Sequence, residues 1–231
     1  MSYAVPAAPV VALPVAGSED TFPVRRIWCV GRNYAAHARE MGSDPDRDPP
    51  FFFAKPTDAI VQNGDPIPYP AGTKNLHHEI ELVVAIGKAG SRIPVDEALD
   101  HVYGYAVGLD MTRRDLQNAA KDSGRPWEMG KSYDFSAPCS AIQSTARIGH
   151  PDKGAIWLKV NGEVRQSSDI SNLIWNVSET ISHLSQLIDL RPGDIIYTGT
   201  PEGVAAVVAG DVMEGHIDGV GDIRTPVIDG A

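Results

Sequence analysis

Short apolar runs, each cut off by Gly or Pro, dominate this chain, and only a few stretches carry helical spacing. Residues 22–31 (FPVRRIWCVG) predict a strand running into a Gly turn. Tyr34, Ala35, Ala38 and Met41 recur near the helical period, so residues 34–41 predict a short helix. Residues 42–50 (GSDPDRDPP) have the Gly, Asp and Pro density of a loop, and residues 51–53 begin a strand that Pro56 stops. Residues 78–87 (HEIELVVAIG) and 103–111 (YGYAVGLDM) predict buried strands, with a short helix at 95–99 behind Pro94. Residues 112–123 predict a helix that opens on a Thr112 cap with Asp115 three positions on.

The second half repeats the strand theme. Residues 156–160 and 163–166 predict a hairpin around Asn161-Gly162, the pair that a tight primed turn favours. Residues 176–187 predict an amphipathic helix. Residues 194–198 predict a strand ending in the turn TGTPEG, and 212–217 with 223–227 a β-rich C-terminus. Many short strands with a few helices, in this order, favour a β-rich α+β fold over a doubly wound sheet. The expected organisation is an N-terminal arm, residues 1–21, and a single domain over 22–231. Residues 1–17 are apolar, but they lack a positively charged start and are broken by Pro6, Pro9 and Pro14. They are expected to be an arm with extended pieces, not an export signal.

Composition narrows the function classes. The chain has 231 residues, 42% hydrophobic and 22% charged, enough for a core without disulfide staples. Its formal net charge of −10 and lack of basic runs argue against nucleic acid and anionic membranes as partners. An acidic chain that took an anionic substrate would need a local cationic pocket, ideally with a metal ion in it. The two cysteines, Cys29 and Cys139, have no metal or disulfide spacing, which points to a reducing cytoplasm. Cys139 reads as a small buried residue, with nothing nearby in sequence to lower its pKa.

Three groups of residues stand out for chemistry. Glu79 and Glu81 lie two apart in an apolar strand pattern, so they share a face. Two carboxylates there repel and lose hydration, which a divalent cation with a preference for oxygen ligands would offset. The same pattern also fits a solvated face. Asp110 is an acid in the apolar run YAVGLDM; it reads either as a third ligand or as a cap on the following helix. His37 and Glu40, three apart on the predicted helix, can touch. That pairing suits a general base for water, and equally an exposed polar pair.

These residues belong to motifs that resemble the fumarylacetoacetate hydrolase family. CVGRNY at 29–34 with His37 and Glu40, FAKP at 53–56, HEIEL at 78–82 and GYAVGLDMTRRD at 104–115 carry the resemblance. So do KSYD at 131–134, LKVNGEVRQ at 158–166 and PGDIIYTGTPEG at 192–203. Their order and spacing run from about Arg26 to the C-terminus. The resemblance implies that family's mixed β-sandwich roll, as a homodimer. It implies Glu79, Glu81 and Asp110 as ligands of Mg²⁺ or Mn²⁺, and His37 with Glu40 as the water-activating dyad, on a segment that orders when ligand binds. Lys131 and Gln117 match polar residues near the reacting carbonyl and enolate, and Arg32 and Thr200 match positions that hold substrate oxygens. The Arg113-Arg114 pair departs from the family's usual run without touching the ligand set.

The activity so implied is hydrolysis of a carbon–carbon bond in a small 2,4-diketo acid. The short chain and its opening look most similar to the branch that splits fumarylpyruvate into fumarate and pyruvate, the close of gentisate-type aromatic breakdown. General acylpyruvase, oxaloacetate decarboxylase and diketo-acid isomerase use the same motifs. A non-catalytic organic-acid binder would not need a general base. A substrate with two carboxylates needs a second anchor, for which Arg32 and Arg125 are the candidates. The helix bearing His37 and Glu40, with the loop at 42–50, is expected to act as a lid.

Overall fold

The computed structural model describes residues 3–35 and 48–230. Of the expected helix at 34–41, Tyr34 is described and forms a buried antiparallel bridge to Leu173; residues 36–41 and most of the loop after them, with the lid role assigned to them, lie outside the described residues.

The strand Ile80–Ile86 (IELVVAI) is buried at every position, and this sets the architecture. It runs antiparallel between Asp194–Tyr197 on one side and Val102–Leu109 on the other. Asp194–Tyr197 in turn pairs parallel with Arg26–Gly31, which pairs antiparallel with Phe51–Lys55. Among the described residues these strands belong to an eight-stranded sheet, and a five-stranded sheet, mostly antiparallel, lies apart from it in the ladder.

Alternation of side chains gives the large sheet two apolar faces. Leu82, Val84 and Ile86 point into one core with Ile156, Leu158, Met213 and Ile223 of the five-stranded sheet, and with Ile181 and Leu184 of the helix Val177–Leu187. Val83 and Ala85 point into the other, with Ile27, Cys29, Leu13 and Tyr197. Each large aliphatic side chain so buried contributes about 1.5–3 kcal/mol of transfer free energy. The register is therefore strongly specified, since a slip of one residue would exchange the faces. Glu81 belongs to the second face, opposite Gly108, where the apolar run begins. The β-rich α+β fold expected from the element order is the one observed.

Local chemistry accounts for several element ends. Asn161 and Gly162 take φ of 52° and 82°, the left-handed pair the tight turn between Ala155–Val160 and Glu163–Asp169 requires. Asn176 caps Val177–Leu187 in a full capping box with Glu179. Residues 12–23 form a hairpin, Ala12–Pro14 against Thr21–Pro23, whose Leu13 is fully buried in the second core. One expectation is corrected. The helix starts at Arg114, not at Thr112, and no side chain caps it. Thr112 instead forms a short strand with Arg113, and its hydroxyl donates to the Asp110 carbonyl at 3.0 Å. Asp115 accepts from the Thr73 hydroxyl and the Lys74 amide, tying the helix to the preceding loop.

Candidate active site

The ladder itself brings the three acids together. Asp110 follows Val102–Leu109 directly, and its amide donates to the Glu79 carbonyl at 2.8 Å, extending the pairing with Ile80–Ile86 by one step. Carboxylate oxygens of Glu79, Glu81 and Asp110 all lie within 4.8 Å of one another. All three are buried; Glu81 and Asp110 are 1% exposed. The alternative reading of Asp110 as a helix cap is excluded, because its side chain faces Lys131 and Lys55.

Buried carboxylates at this spacing need counter-charge. Lys131 Nζ reaches Glu79 Oε2 at 2.8 Å, Asp110 Oδ2 at 2.7 Å and Thr112 Oγ1 at 2.7 Å. Lys55 Nζ lies 2.9 Å from Asp110 Oδ1, and Arg114 pairs with Glu79. Burial opposes the charge on Lys131, but Asp110 and Glu79 outweigh it, and its pKa is raised. Glu81 differs from its two neighbours. It accepts the Gly199 amide at 2.8 Å and forms no ion pair among the described residues. Burial, with Asp110 and Glu79 alongside, pushes its carboxyl well above the usual carboxylate range. A buried carboxylate without an ion pair among the described residues, beside two others and offering oxygen ligands, fits a hard divalent cation such as Mg²⁺ or Mn²⁺.

The turn after Asp194–Tyr197 completes this wall. Gly199 has φ +100°, and a Cβ there would lie 2.7 Å from Asn33 Cβ, so the backbone must come close for its amide to reach Glu81. Thr200, next along, lines the same cavity as Glu79, Glu81, Asp110, Lys131 and Gln117. Arg114 donates to Gln117 Oε1, which fixes that amide's orientation, and the NH₂ has no hydrogen-bond partner among the described residues. His77 accepts from Arg114 Nε through Nδ1 and pairs with Asn75 through Nε2. Burial and Arg114 lower its pKa to about 4, and it stands outside the acid group.

Arg32 lines the outer part of the cavity at φ 61°, with its guanidinium 5.7 Å from the centre of the Trp127 ring. The structure does not bring in Arg125. It is exposed beyond the helix Arg114–Asp122, its amide held by Ala120, and is not among the cavity's lining residues. The Gly124-Arg125-Pro126 stretch turns there toward solvent. His37 and Glu40 lie outside the described residues. Cys139 is fully buried, and burial pushes its thiol up to about 12, so it is no nucleophile.

The site also contains groups that sequence spacing did not single out. Lys55 was visible only as part of the FAKP motif. The Arg113-Arg114 pair was expected to leave the ligand set untouched, but Arg114 pairs with Glu79, and Phe53 and Trp127 line the cavity as well. Lys55 is a lysine in an apolar strand (FFFAK), the same signal that marked Asp110, and could have been paired with it.

A β-rich fold with a buried three-carboxylate site among lysines points to the class of metal-binding enzymes. The family model "Fumarylacetoacetate (FAA) hydrolase C-terminal" matches residues 26–228, and the chain belongs to this family. It is thereby an enzyme of the carbon–carbon hydrolase type that acts on ketonic substrates. The chain is 49% identical to a fumarylpyruvate hydrolase of Ralstonia sp over 189 residues, covering 81% of this chain and 98% of that protein. It is also 44% identical to the mitochondrial oxaloacetate tautomerase of Rattus norvegicus over 215 residues, covering 90% and 97%. The crystal structure of fumarylpyruvate hydrolase from Pseudomonas aeruginosa in complex with Mn²⁺ and pyruvate superposes with a TM-score of 0.97 at 55% identity, covering 99% of this chain and 100% of that one.

Proposed function

We propose that this chain hydrolyses an acylpyruvate, fumarylpyruvate first among them, to pyruvate and a second acid. The observation that carries this reading is the buried Glu81 carboxylate, without an ion-pair partner among the described residues, beside Glu79 and Asp110 in a cavity also lined by Lys131, Gln117, Thr200 and Arg32. The relatives named for fumarylpyruvate support it, one of them holding Mn²⁺ and pyruvate.

A divalent cation, Mg²⁺ or Mn²⁺, held by Glu79, Glu81 and Asp110 would supply Lewis acidity toward the oxygens of the 2-oxo acid. The Thr200 hydroxyl holds a carboxylate oxygen of the pyruvyl end. His37, oriented by Glu40, takes a proton from water so that hydroxide attacks the distal carbonyl. The Gln117 amide steadies that carbonyl, and the Lys131 ammonium steadies the enolate released when the carbon–carbon bond breaks. Arg32 takes the far carboxylate with its planar fork. The protein works as a homodimer in the cytoplasm, in gentisate-type aromatic catabolism.

Tautomerisation or decarboxylation of oxaloacetate is the second reading, favoured by the rat relative, which aligns over more of this chain than the Ralstonia one does. Both use the acids and Lys131 but not attack by water. A panel of fumarylpyruvate, acetylpyruvate and oxaloacetate with product identification separates them. Fumarate and pyruvate in equal amounts, with the highest kcat/KM for fumarylpyruvate, are expected. Carbon dioxide, or tautomer interconversion without cleavage, would move the assignment.

A further inference from the structure

We infer that Gln166 and His78, which lie behind the cavity wall, are positioning residues that set the direction of the Thr200 hydroxyl and thereby hold it as a donor toward substrate. This rests on the reading that Thr200 binds a substrate carboxylate.

The inference follows from counting donors and acceptors. Gln166 lies on the strand Glu163–Asp169 and is 1% exposed; His78 is fully buried. The Ile80 amide, which can only donate, lies 3.1 Å from one side-chain atom of Gln166, so that atom is the carbonyl oxygen. His78 Nδ1 lies 2.9 Å from the same oxygen and must therefore carry the proton. The Gln166 NH₂ then faces the Pro201 carbonyl at 2.8 Å, which can only accept, and Thr200 Oγ1 at 2.8 Å. Both of its protons are used, so Thr200 Oγ1 is an acceptor in that contact. A hydroxyl has one proton, and that of Thr200 has no acceptor among the described residues. It is left to donate on the cavity side, where Thr200 stands beside Glu81 and Lys131.

The backbone enforces this contact. Gly203 has φ +90°, and a Cβ there would fall 2.1 Å from the Arg165 carbonyl, so the turn presses against the strand that carries Gln166. One turn thus serves two purposes: Gly199 holds the metal-side carboxylate of Glu81, and Thr200 presents a hydroxyl whose polarity is set from behind. Without the Gln166 amide, the Thr200 proton is free to turn toward the Pro201 carbonyl or the vacated space, and the donor toward substrate is lost for part of the time.

The test compares variants of the Mn²⁺-loaded full chain for KM, kcat, pyruvate affinity, Mn²⁺ affinity and Tm. Thr200→Val is expected to raise KM and the pyruvate Kd by roughly tenfold to a hundredfold, the weight of a hydrogen bond to a charged acceptor. Gln166→Met is expected to raise both by at least about threefold, with kcat and Mn²⁺ affinity within about twofold of the parent. The double variant Gln166→Met with Thr200→Val should be no weaker than Thr200→Val alone, because the two act through one hydroxyl. His78→Asn, which keeps a donor near the Nδ1 position, should retain parental KM, whereas His78→Leu should follow Gln166→Met. Gln166→Glu, of the same size, carries the test if Gln166→Met does not fold; its carboxylate accepts from Thr200 and should raise KM more. Parental KM in the Gln166 variants, or losses that add to those of Thr200→Val, would overturn the relay while sparing the role of Thr200. Parental KM in Thr200→Val would overturn that role and the relay with it.

Discussion

Two clusters of ionisable groups lie at opposite extremes of burial. Around His216, on the central strand Val212–Ile217 of the five-stranded sheet, Asp222 sits 2.7 Å from Nδ1 and Asp218 3.0 Å from Nε2, with both acids mostly exposed. Around Lys131, Glu79 and Asp110 are as close, yet their side chains are 5% and 1% exposed. Water screens the first cluster, so the geometry has little energetic consequence. The second is cut off from water, so each charge must be met by another group, and Glu81 is met by one backbone amide, of Gly199, with no ion pair among the described residues. The difference shows that proximity of acids does not make a site; desolvation with incomplete compensation does.

Substituting one member of each cluster gives the sharpest contrast. Glu81→Gln is expected to lower kcat/KM by at least about 10²-fold, since the ligand set loses a charge. Asp222→Asn should leave turnover unchanged within about twofold. Steady-state kinetics at saturating Mn²⁺ checks both. Equal effects in the two clusters would dissolve the contrast.

Lys131→Met tests compensation directly. In the chelated chain, Glu79 and Asp110 lose a shared buried partner, and unfolding in denaturant should show a loss of about 3–5 kcal/mol. Mn²⁺ at a hundred times its Kd should return about 2.7 kcal/mol of that. Turnover should remain low even with the metal restored.

The contrast was only partly legible in the chain. Glu79, Glu81 and Asp110 stood out because acids interrupted apolar runs, and alternation placed the two Glu on one face. The long apolar strands and the Asn161-Gly162 hairpin were legible for the same local reasons. What was not legible depends on contacts distant in sequence. Lys55 meets Asp110, Arg114 meets Glu79, and Gln166 meets Thr200 across 34 positions. Thr112 looked like a helix cap because its spacing to Asp115 matched a capping pattern. The structure uses its hydroxyl for Lys131 and starts the helix later. Arg125 looked like an anchor because motif proximity carries no information on which way a Gly-Arg-Pro turn faces.

A smaller effect is expected at the cavity's outer edge. Arg32→Met should narrow the preference for fumarylpyruvate over acetylpyruvate by about tenfold while leaving acetylpyruvate turnover nearly intact. Arg125→Met should leave the ratio unchanged. Competition assays with both substrates give the ratio directly.

The smallest effect belongs to the exposed cluster. Burial lowers the pKa of His216, but Asp222 and Asp218 outweigh it and the folded value is raised. A raised folded pKa contributes stability that is fully present below the unfolded value of about 6.5 and is lost as pH rises through the folded value. Thermal unfolding across that interval should show a shallow decline that His216→Gln flattens, without change in turnover.

The central claim is that Glu79, Glu81 and Asp110 together hold one divalent cation. Titration of Mn²⁺ into the chelated chain, with free ion followed by electron paramagnetic resonance, tests it most directly. One tightly bound Mn²⁺ per chain is expected in the parent and in His216→Gln, and at least about tenfold weaker binding in Glu81→Gln. Binding of the same strength and stoichiometry in Glu81→Gln would contradict the assignment.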